Sequence, residues 1–391
     1  MNDLQRGILL ILKSAITGEG CALPAGFDLE TALPVIKKHH LETLVYHGGS
    51  NCGVDIMSPV MLTLLQRSFA QMMRSEGQVA AVEGLCAAFE EKGIDYMPLK
   101  GCNMKARYPK PELRLMGDAD ILIRMEQYDA VRTVAAGLGY QPVCESDHEL
   151  VWQSDALHLE LHKRLIPSYN KDYYTYFGDG WRLAKRKDGC RHWMTPEDEW
   201  IYLFTHFAKH YRDGGIGCRH VLDLWVYLRS CPGLDESYIR RELNLLRLEE
   251  FHGHIRRLLE CWFGDGAEDD VTAMMTDFIF DSGSWGKWES HILAAEVKNR
   301  KAAGSVRGGR IRSAWQLLFP DARSMAMRYG ILTKAPWLLP AMWPVRWVES
   351  LLFRRERVAQ RHREYRSATT EKVDGYQRAM HYVGLDFHFE E

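Results

Sequence analysis

Two aspartates separated by one residue, Asp118 and Asp120 in LMGDADILIR, are the side chains of this sequence whose types and spacing best suit chemistry. Residues two apart on a strand project to one face with α-carbons roughly 6.5 to 7 Å apart, so the pair can converge on one small hard cation or bridge two. Carboxylate oxygens together with substrate phosphates are the ligands magnesium prefers. Two such ions about 3.5 to 4 Å apart activate an attacking oxygen and stabilise a leaving pyrophosphate in an in-line displacement. That is phosphoryl or nucleotidyl transfer. An acidic pair alone is common on solvated edges and turns. Here it lies among Leu115, Ile121, Leu122 and Ile123, where partial desolvation is costly and a bound cation is one way to offset it. Gly117 leaves backbone room beside the acids.

A second element precedes the acids. Leu99-Lys100-Gly101 ends a strand-like run and leads into a helix read from Asn103. Glycine at a strand-to-helix junction lets the backbone approach phosphate oxygens, the helix start supplies amide donors, and Lys100 adds a point charge. Arg114, four residues before Asp118, carries a fork of donors that can hold a phosphate or simply stand as a solvated rim residue.

Histidines raise further readings. LHLELHKRL alternates Leu157, Leu159 and Leu161 against His158, Glu160 and His162, so a His-Glu-His zinc site competes with a plainly solvated strand face. His206 and His210, four apart on one helix, share a side, but no glutamate follows the first in the zincin position; they read as structural or substrate-side histidines. The arginine-rich stretch Arg354 to Arg366 reads as a solvated helix face, with an RNA or phospholipid contact as the alternative.

The elements that position these residues follow from periodicity and punctuation. Leu4, Ile8, Ile11, Leu12 and Ala15 recur at helical spacing, and Ser58-Pro59 caps and opens the next helical run, which gives a helical region over 1–92. From Gly93 the texture changes. IDYMPLK reads as a strand, LMGDADILIR as a second, Gln127 to Leu138 as a helix, and HELVWQ and LHLELHKRL as two further strands, giving a core over 93–190. In the second strand Leu115, Ala119, Ile121 and Ile123 face one way and Met116, Asp118, Asp120 and Leu122 the other. A mainly helical region, 191–391, is opened by the cap Thr195-Pro196-Glu197-Asp198 and broken at the Gly-rich 303–310 segment and the Pro/Trp-rich stretch after Thr333. The class is α+β.

The run YMPLKG, then LRLMGDADILI, then LHLELHKRL some 40 positions on, resembles an uncharacterised bacterial nucleotidyltransferase family of the polymerase-beta-like superfamily. The TPEDEWIYLFTHFAKH helix, HVLDLW and LFPDARSMAMRYG also fit its layout. The resemblance implies a polymerase-beta-like mixed sheet flanked by N- and C-terminal helical regions. It further implies that Asp118 and Asp120 hold magnesium, two ions with manganese as the alternative metal, and that Lys100, Gly101, Arg114 and Gly117 lie at the triphosphate. An acid on the strand near His162 would complete the site, and Glu160 is its candidate. The superfamily's Gly-Ser or Gly-Gly turn stands here as Gly101-Cys102, and glutamate stands where aspartate is often found.

The implied activity is transfer of a nucleotidyl group, ATP among the donors, from a nucleoside triphosphate to an unidentified protein, peptide or small-molecule acceptor. A non-catalytic nucleotide-binding regulatory module of the same fold is the alternative. A sugar-nucleotide glycosyltransferase, which also uses Asp-x-Asp, is disfavoured because no long run of strands precedes the acids. Composition agrees with a globular chain: 391 residues, 46% hydrophobic, 26% charged. The net charge of -2 lacks the basic footprint of a dedicated nucleic-acid binder. Nine cysteines without a C-x-x-C pair point to reduced thiols. The first residues read as a helix and not a signal peptide, and the segment 335–353 is too interrupted by prolines and charges to span a membrane, so a cytoplasmic protein is expected.

Overall fold

The structure is a computed structural model describing residues 1–326, 328–353, 363–365 and 367–387. Four helices come first: α1 (Asp3–Thr17), α2 (Leu29–Lys38), α3 (Glu42–Asn51) and the 33-residue α4 (Pro59–Glu91). Local chemistry sets their starts. Asn2 and Gln5 form a capping box on α1, and the Ser58 side chain accepts from the Met61 amide with Pro59 in the first turn of α4.

The sheet is mixed and seven-stranded, in the order β3-β4-β5-β2-β1-β7-β6. Its strands are β1 (Tyr96–Pro98), β2 (Ala119–Ile123), β3 (Gln141–Glu145), β4 (Glu149–Gln153), β5 (His158–His162), β6 (Lys185–Asp188) and β7 (Arg191–Trp193). Between them lie α5 (Lys100–Met104), α6 (Tyr128–Gly137) and α7 (Lys171–Phe177). The central strand β2 runs antiparallel to β1 and parallel to β5, in a register that sets Asp120 beside Glu160 and Leu122 beside His162.

Alternation decides which layer each side chain enters. Ala119, Ile121, Ile123, Leu159 and Leu161 pack with Leu85 and Phe89 of α4 and Val131 and Val134 of α6 into one core. Leu122 and Met97 join a larger core on the opposite face, with residues of α8 (Pro196–Gly214) and α9 (Cys218–Ser230). Met116 departs from the alternation read in the sequence: it precedes the strand proper and packs with the Ile121 side.

Several sequence expectations need correcting. β3 escaped notice because all but Cys144 of its residues are exposed, so no apolar alternation marks it. β6 and β7 also have mostly exposed residues, and β7 carries the sheet to Trp193, past residue 190. α5 begins at Lys100, not Asn103, and lasts only five residues. The break read over 303–310 is confined to a left-handed Gly304 and the cap Ser305, because Gly308 and Gly309 lie within a helix of their own. Past the start of that region, α10 (Glu236–Leu245), α11 (Glu249–Phe263), α12 (Asp270–Ser282), α13 (Trp288–Ala303) and α14 (Val306–Leu318) follow. Of the arginine-rich stretch, 354–362 and 366 lie outside the described residues. Among the described residues no helix is long and apolar enough to cross a membrane.

Candidate active site

A cavity of about 420 Å³ opens where the acidic face of β2 and β5 meets α8, α9 and the start of α13. Lys100, Gly101, Arg114, Gly117, Asp118, Asp120 and Glu160, the residues singled out in the sequence, all line it.

Asp120 is almost fully buried, and its Oδ1 accepts from Lys100 Nζ at 2.7 Å and from His162 Nε2 at 2.7 Å. Burial alone would raise its pKa, but the charge of Lys100 and the His162 hydrogen bond win and hold it below the ordinary carboxylate value. Burial likewise opposes charge on Lys100, and Asp120 outweighs it, so the ammonium is kept. For His162, burial and Lys100 favour the neutral ring, whereas hydrogen bonds to Asp120 and Glu160 prevail and raise its pKa. Glu160 approaches His162 to 3.6 Å and His158 to 4.0 Å. Lys100 adopts φ 39°, a left-handed conformation rare for a residue with a side chain, at the turn that brings its amine to Asp120.

Asp118 differs from its neighbour. It is partly buried, makes no hydrogen bond or ion pair with any described residue, and its pKa is pushed up to about 6. Burial is the main cause, followed by the charges of Asp120 and Glu160, against the weaker pull of Lys100 and Arg114. A half-buried carboxylate beside two others is a setting that a hard divalent cation would stabilise. Asp120, Glu160 and His162 bring ligand atoms within 4.8 Å of one another, as do His148, Glu149 and His162. The oxygen-rich donor set of Asp118, Asp120 and Glu160 fits a divalent cation. Neither His158 nor Asp118 belongs to these groups; His162 belongs to both, and its Nδ1 is buried without a partner.

The remaining nominated residues have unequal roles. A Cβ on Gly101 would meet Arg114 Nη1 at 2.7 Å and Met116 Cγ at 3.2 Å, so a side chain here would have to push that guanidinium aside. Gly117 faces only Trp285 at 3.6 Å, an ordinary contact that demands no glycine. Arg114 is engaged: its Nε and Nη2 donate to Asp223 at 3.3 and 3.0 Å and its Nη1 to the Leu115 carbonyl at 3.3 Å. Its fork therefore clamps β2's approach to α9, and Tyr108 donates to the same carboxylate at 2.7 Å.

The opposite wall was largely missed in the sequence. Lys209 of α8 and Arg219 and Asp223 of α9 line it with His206, His210 and His220. A signal existed for part of it: Leu203, His206, Phe207 and His210 follow the i, i+3, i+4, i+7 stripe of one helix face behind a firm cap at Thr195. His206 and His210 stand with Nε2 atoms 3.1 Å apart, and burial first, then neighbouring cations, keep both rings neutral.

The family described as uncharacterised nucleotidyltransferase matches residues 25–264, more than half the chain and all seven strands. The chain belongs to this family. Membership in this nucleotidyltransferase family gives it a nucleotide substrate and a role in nucleotidyl transfer. No curated protein and no solved structure matches it.

Proposed function

We propose that this nucleotidyltransferase uses magnesium to move a nucleotidyl group from a nucleoside triphosphate to an acceptor, releasing pyrophosphate, on a polymerase-beta-like core. The observation that carries the reading is the convergence in one cavity of Asp118, Asp120 and Glu160, the first without a partner, beside the Lys100-Gly101 turn. Asp118, Asp120 and Glu160 would hold the metal. Bound there, divalent ions activate the attacking oxygen and neutralise charge on the leaving group.

The protein's own residues do the rest. Lys100 and His162 donate to a single oxygen of Asp120, which fixes that carboxylate and aims its other oxygen. Gly101 lets backbone approach a phosphate where a side chain would collide with Arg114. Arg114, held by Asp223, keeps the β2 approach in place. Manganese is the expected substitute ion.

The test is incubation with each labelled triphosphate and magnesium in cell extract, with mass spectrometry of whatever becomes labelled. Asp118→Asn should abolish labelling and pyrophosphate release; unchanged turnover would reject the assignment. One observation favours a second reading, a nucleotide-binding module without turnover: Lys100 already neutralises Asp120 at 2.7 Å. That reading expects thermal stabilisation by ATP with no product from any acceptor.

A further inference from the structure

The cavity has two unlike walls. Opposite the carboxylates, the first turn of α9 contributes Arg219 and His220 to the cavity lining, just after Gly215 and Ile216, while the helix start itself is capped, its Cys218 amide donating to His39 Nδ1 at 3.2 Å. A buried cation without a hydrogen-bond partner is costly unless an anion can reach it. Arg219 is such a cation. It is 6% exposed, its Nη1 is buried without a hydrogen-bond partner, and it makes no ion pair with a described residue, its guanidinium lying 5.9 Å from the Trp285 ring. The nearest acid along its helix, Asp223, is already taken by Arg114 and Tyr108.

Lys209, on the facing helix α8, repeats the pattern. It lines the same cavity and makes no hydrogen bond or ion pair with a described residue. Its pKa is pushed down to about 8, by burial first and next by Lys100. These two cations line a common space, which the neutral rings of His206 and His210 share. A multiply charged anion answers both at once.

We infer that Lys209 and Arg219 form a cradle for the polyphosphate chain of the nucleotide, across the cavity from the acids that face the reacting phosphate. The assignment rests on the nucleotidyl-transfer reading, and it moves the main phosphate contact from Arg114, whose donors are taken, to Arg219, whose donor is not.

Inorganic tripolyphosphate, titrated calorimetrically into the full chain with EDTA present, tests the cradle without metal or acceptor. Wild type should bind it, and Lys209→Met and Arg219→Gln should each bind roughly 10- to 100-fold more weakly, the worth of a lost charge-assisted hydrogen bond. Lys209→Arg should keep the affinity within a few-fold. Circular dichroism checks that Arg219→Gln folds; if it does not, Lys209→Met, altered at a partly exposed position, decides the matter. Wild-type affinity in Lys209→Met, or no binding by wild type, overturns the inference. Inorganic phosphate binding as tightly as tripolyphosphate overturns it as well, since a single-anion site is not a chain cradle. The outcomes separate cleanly from those for transfer. Tripolyphosphate bound through Lys209 with no nucleotide transferred removes the transfer reading and leaves the cradle; magnesium-dependent transfer with tripolyphosphate affinity unaltered in the variants does the reverse.

Discussion

The charge imbalance at Asp118 predicts that removing a residue of the site makes the metal-free protein more stable. Its carboxyl titrates at about 6 in the folded chain against 3.8 when unperturbed, a rise of about 2 units. At roughly 1.4 kcal/mol per unit the folded carboxylate is destabilised by about 3 kcal/mol, and partial exposure screens this to about 1–2 kcal/mol. Asn, neutral and nearly isosteric, escapes the penalty. Unfolding entropy of roughly 2.1 cal/mol/K per residue makes that about 2 °C for a chain of this size.

The sign follows from linkage. A carboxyl whose folded pKa lies above its unfolded value binds more protons when folded, so its contribution is fully present below about pH 4 and is lost as pH rises through about 6. In EDTA, Asp118→Asn should therefore melt about 2 °C above wild type at pH 7.5, and the gap should close towards pH 4. Magnesium should reverse the order, because only wild type retains the full set of ligands. Scanning calorimetry across pH provides the measurement. A variant no more stable than wild type at pH 7.5, or a gap that ignores pH, would refute the claim that Asp118 is a carboxylate short of a cation.

Other substitutions probe the scaffold. Glu199 of α8 accepts from Arg107 at 2.5 Å, Asn103 at 2.9 Å and Tyr227 at 3.1 Å; in Glu199→Ala Asn103 keeps the Pro98 carbonyl and Tyr227 the Pro196 carbonyl, but the half-buried Arg107 guanidinium loses its counter-charge. The substitution should lower stability by about 3 kcal/mol in urea unfolding, and an unmoved midpoint would contradict the network. Gly101→Ala must displace Arg114 or Met116 and should lose about 1–3 kcal/mol together with nucleotide affinity measured by titration; wild-type values for both would show that the turn can give. Burial would raise the pKa of Asp223, but Arg114 holds it below the ordinary carboxylate value. Its stabilisation is therefore present above about pH 4 and lost as pH falls through the depressed value. Asp223→Asn should be less stable than wild type at pH 7 by about 2–3 kcal/mol, with the difference shrinking in acid; a constant deficit would point to packing instead.

The acidic face was legible because a strand's period is two. Asp118 and Asp120, and independently Glu160 and His162, had to share faces once β2 and β5 were recognised, and the parallel pairing of those strands then aligned Asp120 with Glu160. The caps at Ser58 and Thr195 were legible for an equally local reason, a side-chain oxygen three residues from the amide it accepts. What escaped notice was non-local or unmarked by hydrophobicity. β3 and β6 are made of mostly exposed residues, so the alternation that betrays a half-buried strand is missing. The partnership of Arg114 with Asp223 spans 109 positions, and nothing near Arg114 hints that its fork is filled. Lys209 and Arg219 look like any solvated cations until α8 and α9 are folded against the sheet.

The two walls acquire meaning together. On the first wall the charges of Asp120 and Glu160 add to burial in raising the pKa of Asp118, and on the second Lys100 adds to burial in lowering that of Lys209. Within the proposed reading, a divalent ion relieves the first wall and a polyphosphate the second, and each ligand also carries the charge that attracts the other. Lys100 lies between, drawn to Asp120 yet raising the charge felt by Lys209 and His206. Held on Asp120, that ammonium would still add to the positive field met by the phosphates. Metal and nucleotide affinities must then be linked, and linkage is reciprocal: whatever factor magnesium adds to triphosphate binding, triphosphate adds to magnesium binding.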